Sequence, residues 1–203
     1  MVNINQKMVN LLGSIKLKED SSINYLSKQL KLPYTSVYRQ IKSLYSLGVV
    51  KFNLKGGVKF TSLNFNNELT RNLLSVTNYF KRKELFKREI ITSLISKEFK
   101  YNVPLLIFGS RIKGKVRDNS DFDLCAIGLS KKEEDTFKKS IKNIELIHKV
   151  EINCLFFKKN EIVAMLTTDK HNVGKEILVN HMVLNNVDLW YNLIAEVYDE
   201  IRL

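Results

Sequence analysis

The strongest constraint in this sequence is an apolar run that stops at a Gly-Ser pair and resumes with two spaced aspartates. Pro104-Leu105-Leu106-Ile107-Phe108 reads as a short buried strand. Gly109-Ser110-Arg111-Ile112-Lys113-Gly114 follows, and Ser120-Asp121-Phe122-Asp123-Leu124 opens a second apolar run that reaches Ile127. Runs this short, bounded by glycine, predict strands rather than helices. Gly109 lets the backbone approach a ligand closely. Ser110 is placed to open a short helix whose free amides and hydroxyl hold phosphate oxygens. Gly114 lets the loop turn back. Residues at i and i+2 of a strand share a face, so Asp121 and Asp123 present both carboxylates together. Two carboxylates beside a phosphate cradle suit Mg²⁺-dependent phosphoryl or nucleotidyl transfer.

The rest of the C-terminal half alternates in pattern. Lys131 to Asn143 reads as an amphipathic helix, Leu146 to Phe157 as a third strand, and residues 160–203 as mostly helical with an apolar break near His181 to Leu184. That order predicts an α+β domain on a small mixed sheet. Glu151 stands in the third strand, with Val150 and Ile152 facing the other way. A lone carboxylate there is costly unless a metal or a donor meets it. His148, His171 and His181 show no metal spacing. Cys125 and Cys154 lie 29 residues apart and match no zinc pattern, so they read as small buried side chains of a reduced protein. Trp190 and Tyr191 sit at helical core spacing.

These motifs resemble the nucleotidyltransferase superfamily that includes DNA polymerase β. The resemblance is closer to its smallest branch, the minimal nucleotidyltransferases found beside toxin partners and in archaeal regulators. The family pattern is Gly-Ser, a glycine four residues after that serine, and then Ser-Asp-x-Asp-Leu. Here Asp121 falls eleven residues after Ser110, at the family spacing. The resemblance covers roughly residues 84–203 and implies in-line attack on the α-phosphate of a nucleoside triphosphate, with release of pyrophosphate. It implies that Gly109, Ser110, Arg111, Lys113, Gly114 and Ser120 bind the nucleotide, with Lys115 and Arg117 as further phosphate partners. It implies one or two Mg²⁺ ions on Asp121, Asp123 and Glu151, the last also a base. Glu151 stands where the family usually has Asp, and Ile112-Lys113 replaces a frequent Ala-Arg.

The N-terminal third has a different grammar. Ile4 to Leu12 carries a helical apolar stripe. Ser21 or Ser22 can cap a second helix with Ile23, Leu26 and Leu30 on one face, and Leu32-Pro33-Tyr34 breaks it. Thr35 or Ser36 can cap a third helix with Val37, Ile41 and Leu44, ended by Gly48. Val49 to Leu54, Lys55-Gly56-Gly57 and Val58 to Thr61 form a hairpin signal. This order resembles a winged helix-turn-helix of the archaeal and bacterial regulator type. The resemblance implies that Ser36, Tyr38, Arg39 and Lys42 on the third helix face a major groove and that Lys55 and Lys59 on the wing contact phosphate.

Charge supports that division. The chain carries 33 basic and 21 acidic side chains, a net charge of +12. Residues 1–65 hold 10 basic against 2 acidic, whereas residues 131–203 hold 11 against 12. A uniform lysine bias would not leave one half neutral, so the asymmetry predicts a polyanion partner for the N-terminal half. The expected organisation is a winged helix-turn-helix over 1–65, a helical connector over 66–83 and a nucleotidyltransferase domain over 84–203. No apolar run is long enough for a membrane span, and Met1 to Asn10 is too polar for a signal peptide, so a cytoplasmic protein is expected. Two readings remain open. One is a DNA-associated enzyme that moves a nucleotide, AMP from ATP or another nucleoside triphosphate, to a protein or nucleic-acid hydroxyl. The other is a DNA-binding regulator whose degenerate second domain senses nucleotide without turnover. Expected partners are double-stranded DNA, the triphosphate, a small helical toxin-like protein and a second copy of the chain.

Overall fold

The computed structural model describes residues 6–17, 20–112 and 121–202. The N-terminal part holds helices α1 (Gln6–Leu12), α2 (Ile23–Leu30) and α3 (Tyr34–Ser46), with strands β1 (Ser21–Ser22), β2 (Val50–Lys55) and β3 (Val58–Leu63). The three strands form a sheet in the order β1-β3-β2. Ser22 both ends β1 and caps α2, its hydroxyl accepting from the Tyr25 amide at 3.1 Å. Helix α3 starts two or three residues earlier than the Thr35 or Ser36 cap predicted, directly after Pro33. Proline lacks an N–H and has a fixed φ, so it suits the edge of the first turn. Gly56 and Gly57 both have positive φ, +54° and +75°, which the two-residue hairpin turn requires.

Helix α4 (Glu68–Arg88) is one continuous rod of 21 residues and crosses the expected connector boundary. Beyond it come α5 (Ile90–Glu98), β4 (Leu105–Phe108), β5 (Phe122–Ile127), α6 (Lys131–His148), β6 (Ile152–Phe157), α7 (Lys159–Thr167), α8 (Val173–Val179), β7 (His181–Asn185) and α9 (Val187–Val197), with a 3-10 turn at Tyr198–Glu200. The second sheet is mixed, in the order β6-β5-β4-β7, with β5 and β6 parallel and the other pairs antiparallel. The apolar break near His181 is therefore an edge strand. Leu146 to His148, expected in the third strand, belong to α6. The apolar repeat Phe137, Ile141, Ile144 carries the helix through them, and Lys149 ends it at φ +53°.

Alternation in the strands splits the core into two layers. Leu124, Ala126, Ile107 and Ile152 pack with α5 and α6. Cys125, Ile127, Leu106, Phe108 and Val183 face α7, α8 and α9. That second layer continues without a break into the N-terminal part. Phe65 stacks on Tyr198 at 4.6 Å between centroids, and the Tyr198 hydroxyl donates to the Leu17 carbonyl at 2.6 Å. Helix α4 also covers the β7 edge. Asn78 donates to the Val183 carbonyl at 2.8 Å and accepts from its amide at 3.1 Å, as a neighbouring strand would. Arg82 bonds the Leu184 carbonyl. Two basic side chains of α4 are thus structural, since Lys81 likewise donates to Gly13 O at 2.9 Å. Much of Lys81 is exposed, but its ammonium end is turned inward and burial pulls its pKa down.

Cys125 is buried, Cys154 is half-buried, and both are free thiols. His181 is held from both sides. Its Nε2 accepts from Trp190 Nε1 at 2.8 Å, and Nδ1 lies 2.9 Å from the Ile177 carbonyl, which places the ring proton on Nδ1. Burial lowers its pKa to about 4 from an ordinary 6.5. The unfolded chain therefore binds an extra proton between those values, so stability falls as the pH drops from about 6.5 toward 4. The loss approaches about 3 kcal/mol at most, and His181→Phe flattens it. Chemical denaturation at pH 7 and at pH 4.5 in the two proteins measures the difference.

Candidate active site and N-terminal basic face

Strand β4 ends at Phe108, which pairs with Asp123 on β5 and His181 on β7. Gly109 comes next, at φ +78°. A Cβ at this position would lie 2.2 Å from Asp123 Oδ2, so glycine is required for its backbone and for the space it leaves. Asp123 and Asp121 lie on the same face of the sheet, the face shared with Cys125 and Phe108, so the predicted juxtaposition of strand end, Gly-Ser pair and paired carboxylates is present. Burial, and then the nearby Asp121 charge, raise the Asp123 pKa. A carboxylate pair held in this state favours a cation between its members.

Asn153 on β6 is the site residue that sequence reasoning missed. It pairs in register with Asp123, and its amide donates to Asp121 Oδ2 at 3.3 Å while also offsetting the rise at Asp123. The signal for it was parity, since Asn153 stands two residues after Glu151 on the same strand face. Glu151 itself precedes the Phe122–Ile152 pair. Its carbonyl accepts from the Phe122 amide at 2.9 Å and its side chain is exposed. Val150 and Ile152 pack on the opposite layer, as expected. Among the described residues, no group of three or more His, Cys, Asp and Glu side chains converges as a metal cluster.

Arg111, expected to face a triphosphate, is 7% exposed. Its Nη1 donates to Glu89 Oε2 at 3.0 Å, its Nε donates to the Asp121 carbonyl at 3.2 Å, and its guanidinium lies 3.6 Å over the Phe122 ring. The described residues Ser110 to Ile112 form a turn rather than the first turn of a helix. Arg111, drawn inward by Glu89, sets that turn. Lys113, Gly114, Lys115, Arg117 and Ser120 lie outside the described residues.

On the N-terminal part, Arg39 and Lys42 are exposed on α3 and Ser36 is half-buried. Tyr38 stacks on Tyr34 and receives Lys59, whose Nζ is 3.3 Å from the Tyr38 hydroxyl and 5.1 Å from its ring centre. This contact joins the hairpin tip to α3. Lys55 is paired with Asp20 at 2.8 Å, so its charge is met within the fold. That ion pair and a hydrogen bond from Asn53 hold the Asp20 carboxyl below its ordinary range.

Residues 87–183 match a family model described as a nucleotidyltransferase domain. The matched stretch begins at the end of α4 and closes within β7, so it contains β4, β5, β6 and the first three residues of β7. A comparison with curated proteins finds no match. No helix among the described residues is long and apolar enough to cross a membrane.

Proposed function

We propose that this chain is a DNA-associated nucleotidyltransferase that transfers AMP from ATP to a protein or nucleic-acid hydroxyl. The observation that carries the reading is the Asp121–Asp123 pair, aligned on one sheet face beside a positive-φ glycine at the end of β4. The pair fits a divalent cation. Its oxygens share a face, the Asp123 pKa is raised by burial and by Asp121, and no side-chain cation neutralises them among the described residues. Asp121 and Asp123 would hold Mg²⁺, with Glu151 beside them. When bound, the ion neutralises charge on the triphosphate and lowers the pKa of an attacking hydroxyl.

The chain's own groups do the remaining work. Gly109 and Ser110 hold the leaving phosphates. Asn153 orients the Asp121 carboxylate. Arg111 is a positioning residue that clamps the loop to Glu89 and to the strand carrying the aspartates. Glu151 accepts the proton of the attacking hydroxyl. Pyrophosphate release from Mg²⁺-ATP by the full chain tests the reading. A second reading, nucleotide sensing without turnover, draws on the amide of Asn153 where a carboxylate could have stood. Tight Mg²⁺-ATP binding with no pyrophosphate release under any acceptor would select it.

The DNA part of the proposal rests on the winged-helix resemblance, the charge excess and the exposed Arg39 and Lys42. Arg39→Ala is expected to cost about 1–3 kcal/mol in duplex affinity and to relax sequence preference. Lys59→Ala weakens all sequences equally and lowers the salt slope by about 1. Lys55→Ala changes binding less, because Asp20 already meets that charge. Salt titrations of the full chain on random and upstream duplexes measure all three. A flat salt response would remove DNA from the proposal.

A further inference from the structure

The mixed sheet has one covered edge and one open edge. Helix α4 covers β7, as described above. Strand β6 lies at the other edge and, among the described residues, pairs only with β5. The Phe122 amide bonds Glu151 O and the Gly128 amide bonds Phe157 O, so the odd-numbered residues of β6 turn their backbone groups toward β5. Ile152, Cys154 and Phe156 turn theirs outward. Glu145 takes the Ile152 amide at 2.9 Å. Among the described residues, nothing bonds the outward amides or carbonyls of Cys154 and Phe156. Between residues 152 and 157 the strand has no charge and no proline, the usual devices that protect such an edge. Leu155 on the strand is 36% exposed, Leu146 and Ile147 at the end of α6 are 79% and 74% exposed, and the Lys138 ammonium of α6 lies 4.8 Å from the Phe156 ring centre.

The order of strands also has a chemical direction. The Gly109–Ser110 end of β4 lies on one side of the Asp121–Asp123 pair on β5, and Glu151 and Asn153 on β6 lie on the other. In-line displacement requires the nucleophile to arrive opposite the leaving group. If pyrophosphate leaves over β4, the acceptor enters over β6, past the open edge.

We propose that the open edge of β6 docks an extended segment of an acceptor protein as an added strand, which brings a Ser, Thr or Tyr hydroxyl over Asn153 toward the aspartates. The inference rests on the nucleotidyl-transfer reading above. An added strand lies about 4.8 Å beyond β6, and its alternate residues share the Asp121, Asp123 and Asn153 face. The free groups at this edge are amides and carbonyls at strand spacing, with the apolar Leu155 and the Lys138 ammonium beside them. They fit a polypeptide backbone rather than a phosphate backbone. In the transfer, the acceptor hydroxyl oxygen bonds to the α-phosphorus. The bond from that phosphorus to the bridging β-phosphate oxygen breaks, pyrophosphate leaves with the electron pair, and the hydroxyl proton passes to Glu151.

The test uses the full chain with Mg²⁺-ATP and a displayed library of random decapeptides carrying one central Ser, Thr or Tyr. Enriched peptides are expected to slow amide exchange at Cys154 and Phe156 and to lose affinity when N-methylated at alternate residues. Cys154→Pro, which removes an outward amide, and Leu155→Lys, which adds a charge at the edge, should each weaken peptide binding at least about tenfold. Neither should change Mg²⁺-ATP affinity by calorimetry. The docking inference alone is overturned if ATP binds but no peptide is enriched, or if both variants bind peptide normally. It is likewise overturned if protection maps elsewhere, if a single-stranded oligonucleotide protects the same amides instead, or if a second copy already occupies the edge. Absent Mg²⁺-ATP binding overturns the underlying reading and the inference with it.

Discussion

Asp123→Ala is expected to lower Mg²⁺-ATP-dependent pyrophosphate release by about 10³-fold or more. The side chain is one of two carboxylates on the face where the proposed cation and triphosphate would meet, and no neighbouring group among the described residues duplicates it. Calorimetry should show the loss of Mg²⁺-dependent ATP binding in the same variant. The fold should not suffer. Burial and the Asp121 charge raise the Asp123 pKa, so its ionised form is disfavoured in the native state. A carboxylate with a raised folded pKa removes stability as pH rises through that range, the reverse of a salt-bridged one. The ligand-free variant should therefore melt at the same temperature as the parent or slightly above it. Turnover that survives in Asp123→Ala would locate the chemistry elsewhere.

Phe65→Ala is expected to cost about 3–5 kcal/mol and to destabilise both halves of the chain together. Phe65 is 1% exposed and lies on Tyr198, with Tyr191 6.4 Å away centroid to centroid. Ser75 adds a tie from α4 to Asp188 on α9 at 2.7 Å. A core shared this way makes the N-terminal helices and the mixed sheet one cooperative unit. Trp190 is the single tryptophan and lies wholly within the C-terminal part of that core, so its fluorescence reports one side of the junction. In urea, its transition should coincide with far-UV circular dichroism in the parent and in Phe65→Ala. Two separated transitions would mean that the halves fold independently.

The candidate site was legible where chemistry and local pattern coincide. The Gly109-Ser110 pair, the i, i+2 aspartates and the flanking apolar runs announce a strand-loop-strand unit, because strand parity and glycine's access to positive φ are local properties. The same holds for the hairpin at Gly56-Gly57 and for the apolar stripes of α2 and α3. Leu146 to His148 fall in α6 rather than in the expected strand because an apolar Leu-Ile pair reads equally well at either period, and only the burial of Ile141 and Ile144 on the same helix decides for the helix. Arg111 shows a second kind of limit. In sequence it is a loop cation beside a phosphate motif, but Glu89, 22 residues earlier, draws it inward.

By itself, then, the sequence determined strands β4 and β5, the pair of carboxylates on one face and the basic character of the N-terminal half. Each depends on residues within a few positions of one another or on a sum of charges. Tertiary structure decided the rest. It placed Asn153 beside the aspartates through the parallel pairing of β5 and β6, and it covered β7 with α4 while no strand among the described residues pairs with the outer edge of β6. It also fused the two halves through Phe65, Tyr191 and Tyr198. Those outcomes depend on register and on contacts between segments more than a hundred residues apart, which periodicity within a single segment does not encode.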